Sequence, residues 1–236
     1  MSEPNALSQL LALFTPIHKD GYKFVGVAVA ATILAFLLSS TLGLLGVIAT
    51  VALAFFFRDP VRVVPQRDSL VLGPADGIVI SIESVTPPQE IGLGSDPMTR
   101  VSMFLSVLDV HVSRSPVSGR IESSVYQPGL HHNAAAPVAS RENERHAFAI
   151  ETKSALRVGV VLVAGTVARR IVTEVKQGDW VSGGERIGII RFGSRVDVYL
   201  PAASSILVAE GQRIVAGETI IADFDAHETP RAFRRM

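Results

Sequence analysis

Two hydrophobic patterns divide the chain. From Phe24 to Phe57 the run FVGVAVAATILAFLLSSTLGLLGVIATVALAFFF carries no charged residue over 34 positions. One bilayer-spanning helix needs only ~20 apolar residues, and two comfortable spans need somewhat more than this run offers. Its middle, SSTLG from Ser39 to Gly43, is small and turn-capable, so the run is read as two short helices folded back on each other. Beyond Arg58 the helical pattern nearly vanishes. Runs such as LVLGPADGIVISIE, RVSMFLSVLDVHVS, HAFAIET and RVGVVLVAG are rich in Val and Ile and punctuated by Gly, Pro, Asn or Asp. That is the signature of short strands joined by turns, and it predicts a mainly β region.

An internal repeat sharpens the β reading. VKQGDWVSGGERIG, starting at Val175, aligns with VAEGQRIVAGETII, starting at Val208: Gly178 matches Gly211, Val181 matches Ile214, Gly184 matches Gly217, and Glu185 matches Glu218. Each copy reads as a hairpin with two glycine turns. PADGIV (Pro74 to Val79) and SPVSGRI (Ser115 to Ile121) are comparable turn-then-strand segments. Together they predict a barrel-sandwich of two interlocked halves, like lipoyl and biotinyl carrier domains. A carrier needs a modifiable lysine at a hairpin tip, and Lys153 and Lys176, the two lysines outside the membrane flank, lack those surroundings. The predicted organisation is a membrane-associated helical hairpin over residues 1–60 and a β-rich domain over 61–236.

Composition agrees with a membrane segment: 48% hydrophobic and 19% charged residues, with a mean hydropathy of +0.36, is apolar for a soluble protein. Lys and Arg balance Asp and Glu at 22 each, which leaves no electrostatic footprint for nucleic acid. The absence of cysteine excludes disulfides and thiolate chemistry. Lys19 and Lys23 precede the apolar run and Arg58, Arg62 and Arg67 follow it. Basic residues on both flanks place both ends in the cytoplasm, so the β domain is expected on the cytoplasmic face of the inner membrane. A single long tilted span is the alternative, and it would put that domain on the other side.

The candidate chemistry lies in RFGSRVDVYLP, residues 191 to 201. A serine that follows glycine can attack the preceding carbonyl through a five-membered ring, an N-to-O acyl shift. Gly193 lacks a Cβ and leaves that carbonyl open to Ser194. Elimination of the ester and hydrolysis of the resulting dehydroalanine would leave a pyruvoyl ketone at position 194. A Gly-Ser pair between strands is more often a plain turn, and the dipeptide alone decides nothing. The hydroxyl also needs a base and the base an orienting group; His111 in LDVHVS and Asp76 in PADG are the candidates.

Taken in order, FFFRDPVRVVP, GPADGIV, FLSVLDVHVSRSPVSGRI, NERHAFAIET, VGVVLVAGTVARRIV and GDWVSGGERIGIIRFGSRVDVYLP resemble the short form of the phosphatidylserine decarboxylase family, from about Phe55 to about Pro201. The resemblance implies a proenzyme that cuts itself between Gly193 and Ser194 into a β chain (1–193) and an α chain (194–236). Ser194 would become the pyruvoyl group, which forms a Schiff base with the amine of phosphatidylserine and releases CO2 and phosphatidylethanolamine. Asp76 matches the family's aspartate and His111 its first histidine. Longer members carry a second histidine where this chain has Arg114, and Gly-Ser-Thr where Arg195 follows Ser194. His111 and Asp76 are therefore expected to share the work of cleavage. His111 is the expected proton donor, and Arg114 and Arg195 the expected contacts to the lipid phosphodiester. Asn143 and Glu144 belong to the matched NER pattern.

A homo-oligomer, a dimer, is the expected assembly, and the basic tail PRAFRRM is expected near anionic headgroups. No metal is expected: adjacent His131 and His132 on a strand would point to opposite faces, without a third ligand at suitable spacing. Their loop is read as lying near the lipid entrance. Two other functions compete with this one. The first is a membrane-anchored barrel-sandwich adaptor without catalysis, and the second a decarboxylase for a soluble amino acid, against which the membrane segment argues.

Overall fold

The computed structural model describes residues 15–136, 138–166, 170–191 and 194–226. Gly193 and the basic tail lie outside them. The chain divides into two compact units, residues 1–61 and 62–236.

The first unit is a helical hairpin. Helix α1 (Gly21–Leu38) and helix α2 (Ser40–Phe56) are separated by Ser39, whose extended backbone (φ −163, ψ 139) breaks the helix and whose Oγ accepts from the Thr41 N–H at 3.3 Å. Small residues let the helices approach: a Cβ at Gly43 would meet the Phe36 ring at 2.2 Å, and one at Gly46 would meet Thr32 Oγ1 at 2.8 Å. Thr32 and Thr50 share a hydroxyl hydrogen bond of 2.9 Å across the pair, the small-residue and hydroxyl packing that suits helices in lipid. The outer ends are tied by His18 N–H to Phe57 O (2.8 Å) and Asp59 N–H to Pro16 O (2.7 Å). Leu34, Leu37, Leu44, Ile48 and Val51 all point outward and are exposed, so the hairpin is apolar on its outside, as a membrane segment is. Helix α1 is long and apolar enough to cross a membrane, spanning about 27 Å at 1.5 Å per residue.

The second unit is the mainly β barrel-sandwich. Its strands are β1 (Leu70–Leu72), β2 (Gly77–Val85), β3 (Met98–Leu105), β4 (Val112–Arg114), β5 (Gly119–Gln127), β6 (Arg145–Glu151) and β7 (Arg157–Ala164). They continue as β8 (Arg170–Thr173), β9 (Trp180–Val181), β10 (Arg186–Arg191), β11 (Ser194–Leu200), β12 (Ser205–Ile206), β13 (Arg213–Ile214) and β14 (Ile220–Asp223). Three antiparallel sheets result, ordered β1-β14-β12, β4-β10-β8 and β13-β2-β3-β11-β7-β6-β5-β9. The orders obey a pseudo-two-fold. The two small sheets exchange under it, and the large sheet reads the same from either edge, with β11 and β7 at its centre.

The hydrogen bonds follow the same symmetry. Leu72 N–H donates to Pro116 O (2.8 Å) while Arg114 N–H donates to Pro74 O (2.7 Å). Gly217 N–H donates to Gly73 O and Gly184 N–H to Ser115 O, both at 2.8 Å. The four glycines matched by the repeat all adopt left-handed backbone, with φ of 93, 83, 79 and 75 for Gly178, Gly211, Gly184 and Gly217. A Cβ there is strained, which is why glycine recurs at the same offset. The main core, including Val79, Val101, Met103, Leu105, Phe148, Ile150, Leu162, Ala164, Val196 and Val198, fills one face of the large sheet. A smaller cluster with Ile91, Ala139, Val161, Val163 and Tyr199 covers the other, where helix α3 (Ala139–Glu142) lies.

Candidate active site

Ser194 opens β11 at the middle of the large sheet, directly opposite Leu105 of β3 on one side and Ala164 of β7 on the other. Strand alternation puts its side chain with Val196 and Val198 on the main core face. It is fully buried, and its Oγ has no hydrogen-bond partner among the described residues. A buried hydroxyl without a partner costs about 1–3 kcal/mol. Such a group calls for a functional reason.

The loop Ser106–His111 joins the strand partner of Ser194 to a residue bonded to Ile190. It leaves β3 at Leu105, opposite Ser194, and ends at His111, whose carbonyl accepts from the Ile190 N–H at 3.1 Å. Its internal frame is Asp109, a buried carboxylate that accepts from Ser106 N–H (2.8 Å), Ser106 Oγ (2.7 Å) and the Arg213 guanidinium. Burial alone would raise the Asp109 pKa, but the hydrogen bonds from Ser106 and the charge of Arg213 outweigh it and hold the carboxyl below its ordinary range. His111 is completely buried, with Nδ1 2.9 Å from the Asp109 carbonyl. A carbonyl can only accept, so Nδ1 carries a proton; in the neutral ring Nε2 then holds the lone pair, the tautomer in which the ring can act as a base. The loop tip, Val107 and Leu108, is exposed.

Asp76 lies one row from the serine's strand partner. The next residue, Gly77, packs so tightly on β3 that a Cβ there would come 2.3 Å from Phe104 O. The Asp76 carboxylate accepts from Arg62 Nη2 at 2.8 and 2.9 Å and from the Ala216 N–H at 2.8 Å. The segments of Asp76 and His111 are joined by the Arg114 N–H to Pro74 O bond.

The two arginines expected at the phosphodiester are both buried. Arg114 donates to Gly184 O at 2.9 Å, beside Gly217, between the two repeat turns. Arg195 alternates to the sheet face opposite Ser194, where it donates to Asp197 Oδ1 (2.6 Å) and Ser102 Oγ (2.8 Å). Their charges thus meet protein partners.

On the far side of Ala164 the sequence reading underrated a second cluster. Asn143 is buried and works as a clamp: its Nδ2 donates to His132 O and Ala164 O, both at 2.8 Å, and its Oδ1 accepts from the His132 N–H at 2.9 Å. Glu144 follows it, with its carbonyl accepting from the Ala164 N–H at 2.9 Å. Glu144 Oε2 is 3.3 Å from His131 Nε2, and Glu142 Oε2 is 3.1 Å from His132 Nε2. Each histidine thus meets a carboxylate ten or more residues away. Local spacing could not reveal that, although NER was already in view.

A model of the phosphatidylserine decarboxylase family matches residues 50–222. The chain belongs to the phosphatidylserine decarboxylase family. It is 51% identical over 223 residues to a phosphatidylserine decarboxylase proenzyme of Nitrobacter winogradskyi, covering 94% of this chain and 90% of that one. It is 47% identical over 227 residues to a proenzyme of the same name from Cereibacter sphaeroides, covering 96% and 98%. The family match includes every site residue described above, from Arg62 to Ala216.

Proposed function

We propose that this protein decarboxylates phosphatidylserine to phosphatidylethanolamine, using a pyruvoyl group that it makes from its own Ser194. The single observation that carries the reading is the unpartnered, fully buried Ser194 hydroxyl at the start of β11, in a chain of this family. Both relatives are named as proenzymes, which supports a processed form. In the processing step Ser194 Oγ attacks the Gly193 carbonyl carbon and the C–N bond breaks to give an ester. Elimination then expels the Gly193 carboxylate, and water replaces the nitrogen, which leaves as ammonia. His111 takes the hydroxyl proton, held in the right tautomer by the Asp109 carbonyl. Asp76 acts from its anchored position beside β3.

The site suits a pyruvoyl group. The Cα of Ser194 would become the ketone carbon and its Cβ the methyl group, and Leu105 and Ala164 stand on either side of it with apolar side chains. When bound there the group supplies an electron-withdrawing carbonyl conjugated to the substrate's nitrogen, so that CO2 can leave. His111 returns a proton to the carbon that CO2 has left. Arg114 and Arg195 hold the site's shape by bridging the repeat turns and the opposite sheet face. The helical hairpin keeps the protein at the bilayer where a diacyl substrate resides, with the β domain on the cytoplasmic side that the basic flanks favour. The exposed Val107 and Leu108 beside the site suit contact with acyl chains.

Intact mass spectrometry of the full-length protein tests this directly. Two chains are expected, the smaller starting at position 194 with a keto group in place of an amine, and the preparation should release CO2 from phosphatidylserine in vesicles but not from free serine. One continuous chain of 25.2 kDa with full activity would overturn it.

A further inference from the structure

The row of residues that contains Ser194 does not end at Ala164. Arg145 pairs with Val163, so the next position in register brings Glu144 opposite Ala164, as the Ala164 N–H to Glu144 O bond requires. Leu105, Ser194, Ala164 and Glu144 therefore lie side by side across four strands. Alternation sends Arg145 to the Val163 face and Glu144 to the face that carries Ser194. Two strand spacings, about 10 Å between Cα atoms, separate Glu144 from Ser194, and the residue between them is only an alanine. The Glu144 side chain is 10% exposed, and His131 beside it is 34% exposed. This pair therefore stands at the end of the Ser194 row that reaches solvent.

The charges around the site distinguish Glu144 from the other carboxylates. Asp76 is bound to Arg62, Asp109 to Arg213 and Asp197 to Arg195. Each of these is neutralised by a permanent cation. Glu144 has His131 as its only side-chain partner among the described residues, and its frame is fixed by Asn143 and by the Glu144 N–H to Leu130 O bond of 2.9 Å. A cationic amine entering an apolar pocket needs a counter-charge. We infer that Glu144, oriented by His131, is the ammonium receptor of the site: it pairs with the amino group of the phospholipid headgroup and thereby selects headgroups that carry an amine. This rests on the proposed function and adds the residue that recognises the reacting group.

The test compares a neutral and a cationic amine on the full-length protein. Glu144→Gln and His131→Asn should still run as two chains on a denaturing gel and should take up phenylhydrazine at the wild-type rate, because that nucleophile is uncharged at neutral pH. Trapping of phosphatidylserine by cyanoborohydride, read as added mass on the small chain, should slow at least 10-fold in Glu144→Gln and several-fold in His131→Asn, with Glu144→Asp recovering part. Wild-type trapping rates in Glu144→Gln overturn the inference, as does an uncut Glu144→Gln, which would assign the residue to processing. Should that variant not fold, His131→Asn decides in the same way. A wild-type protein that takes up no hydrazine defeats the underlying decarboxylase reading instead, and the two failures are thus distinct.

Discussion

The two halves of the β unit solve the same connection differently. In one half β6 passes to β7 through the short loop Lys153–Ala155, closed by Thr152 N–H to Leu156 O (2.9 Å) and Leu156 N–H to Thr152 Oγ1 (3.1 Å). Gly77 and Gly119 set the equivalence, since a Cβ on either would lie 2.3 Å from the carbonyl oxygen of Phe104 or Glu151. Leu105 then corresponds to Thr152, and Ser194, paired with Leu105, corresponds to Leu156. In the second half the chain does not turn. It leaves β3 through the Asp109 loop, and β11 is entered from β10 of the small sheet. A symmetric fold thus places one strand start, and only one of the pair, at a crossing between sheets, which is where the proposed cut falls.

The largest effect that would break this comparison is all-or-none. Ser194→Ala should leave a single chain on a denaturing gel with no decarboxylation, while Leu156→Ala, at the equivalent place, should process fully. The serine variant should fold at least as well as the precursor, since it removes an unsatisfied buried hydroxyl. Next in size is Asp109→Asn, which weakens the ion pair with Arg213 and the frame of the His111 loop. We expect at least 10-fold slower processing in a pulse-chase experiment. Lys153→Ala in the matching loop should change nothing, and equal slowing in both would refute a role peculiar to one half.

Much of this was legible in the sequence because it depends on local rules. The apolar run with a small centre folded as the expected hairpin. The repeat predicted the barrel-sandwich because left-handed turns demand glycine at fixed offsets, and all four matched glycines have that backbone. What the sequence hid was long-range pairing. Arg62, read only as a basic flank, reaches Asp76 fourteen positions on, and Arg213 reaches Asp109 across 104 positions. Arg195 follows Ser194 in sequence, yet strand alternation sends it to the opposite face. Proximity along a strand misleads in this way whenever the period is two.

The glycines sharpen the comparison at intermediate size. Gly77→Ala and Gly119→Ala force the same Cβ against a backbone carbonyl, so each should cost about 2–3 kcal/mol in denaturant unfolding of the Ser194→Ala precursor. Their equality would support the pseudo-two-fold. Only the Gly77 variant should also slow processing, because the displaced Phe104 adjoins the strand partner of Ser194. Equal slowing by both would mean that stability, not site geometry, governs the cut.

The smallest expected effect concerns pH and belongs to the half that holds the intact hairpin. His146 on β6 is partly buried, with its Nε2 2.8 Å from Ser124 Oγ and its ring 4.7 Å from that of Phe148. Burial lowers its pKa from 6.5 to about 4. The folded state therefore favours the neutral ring, whereas the unfolded chain binds a proton near 6.5. Its contribution to stability is complete above pH 6.5 and falls away as the pH drops toward 4, since the unfolded state holds more protons throughout that window. Because the ring is partly solvated, the slope should be shallow. His146→Gln should flatten the dependence of the melting temperature between pH 6.5 and 4 while leaving processing at neutral pH unchanged. A curve of unaltered slope would show that acid sensitivity resides in another group, and that the hairpin half is as indifferent to protons as its loop is to catalysis.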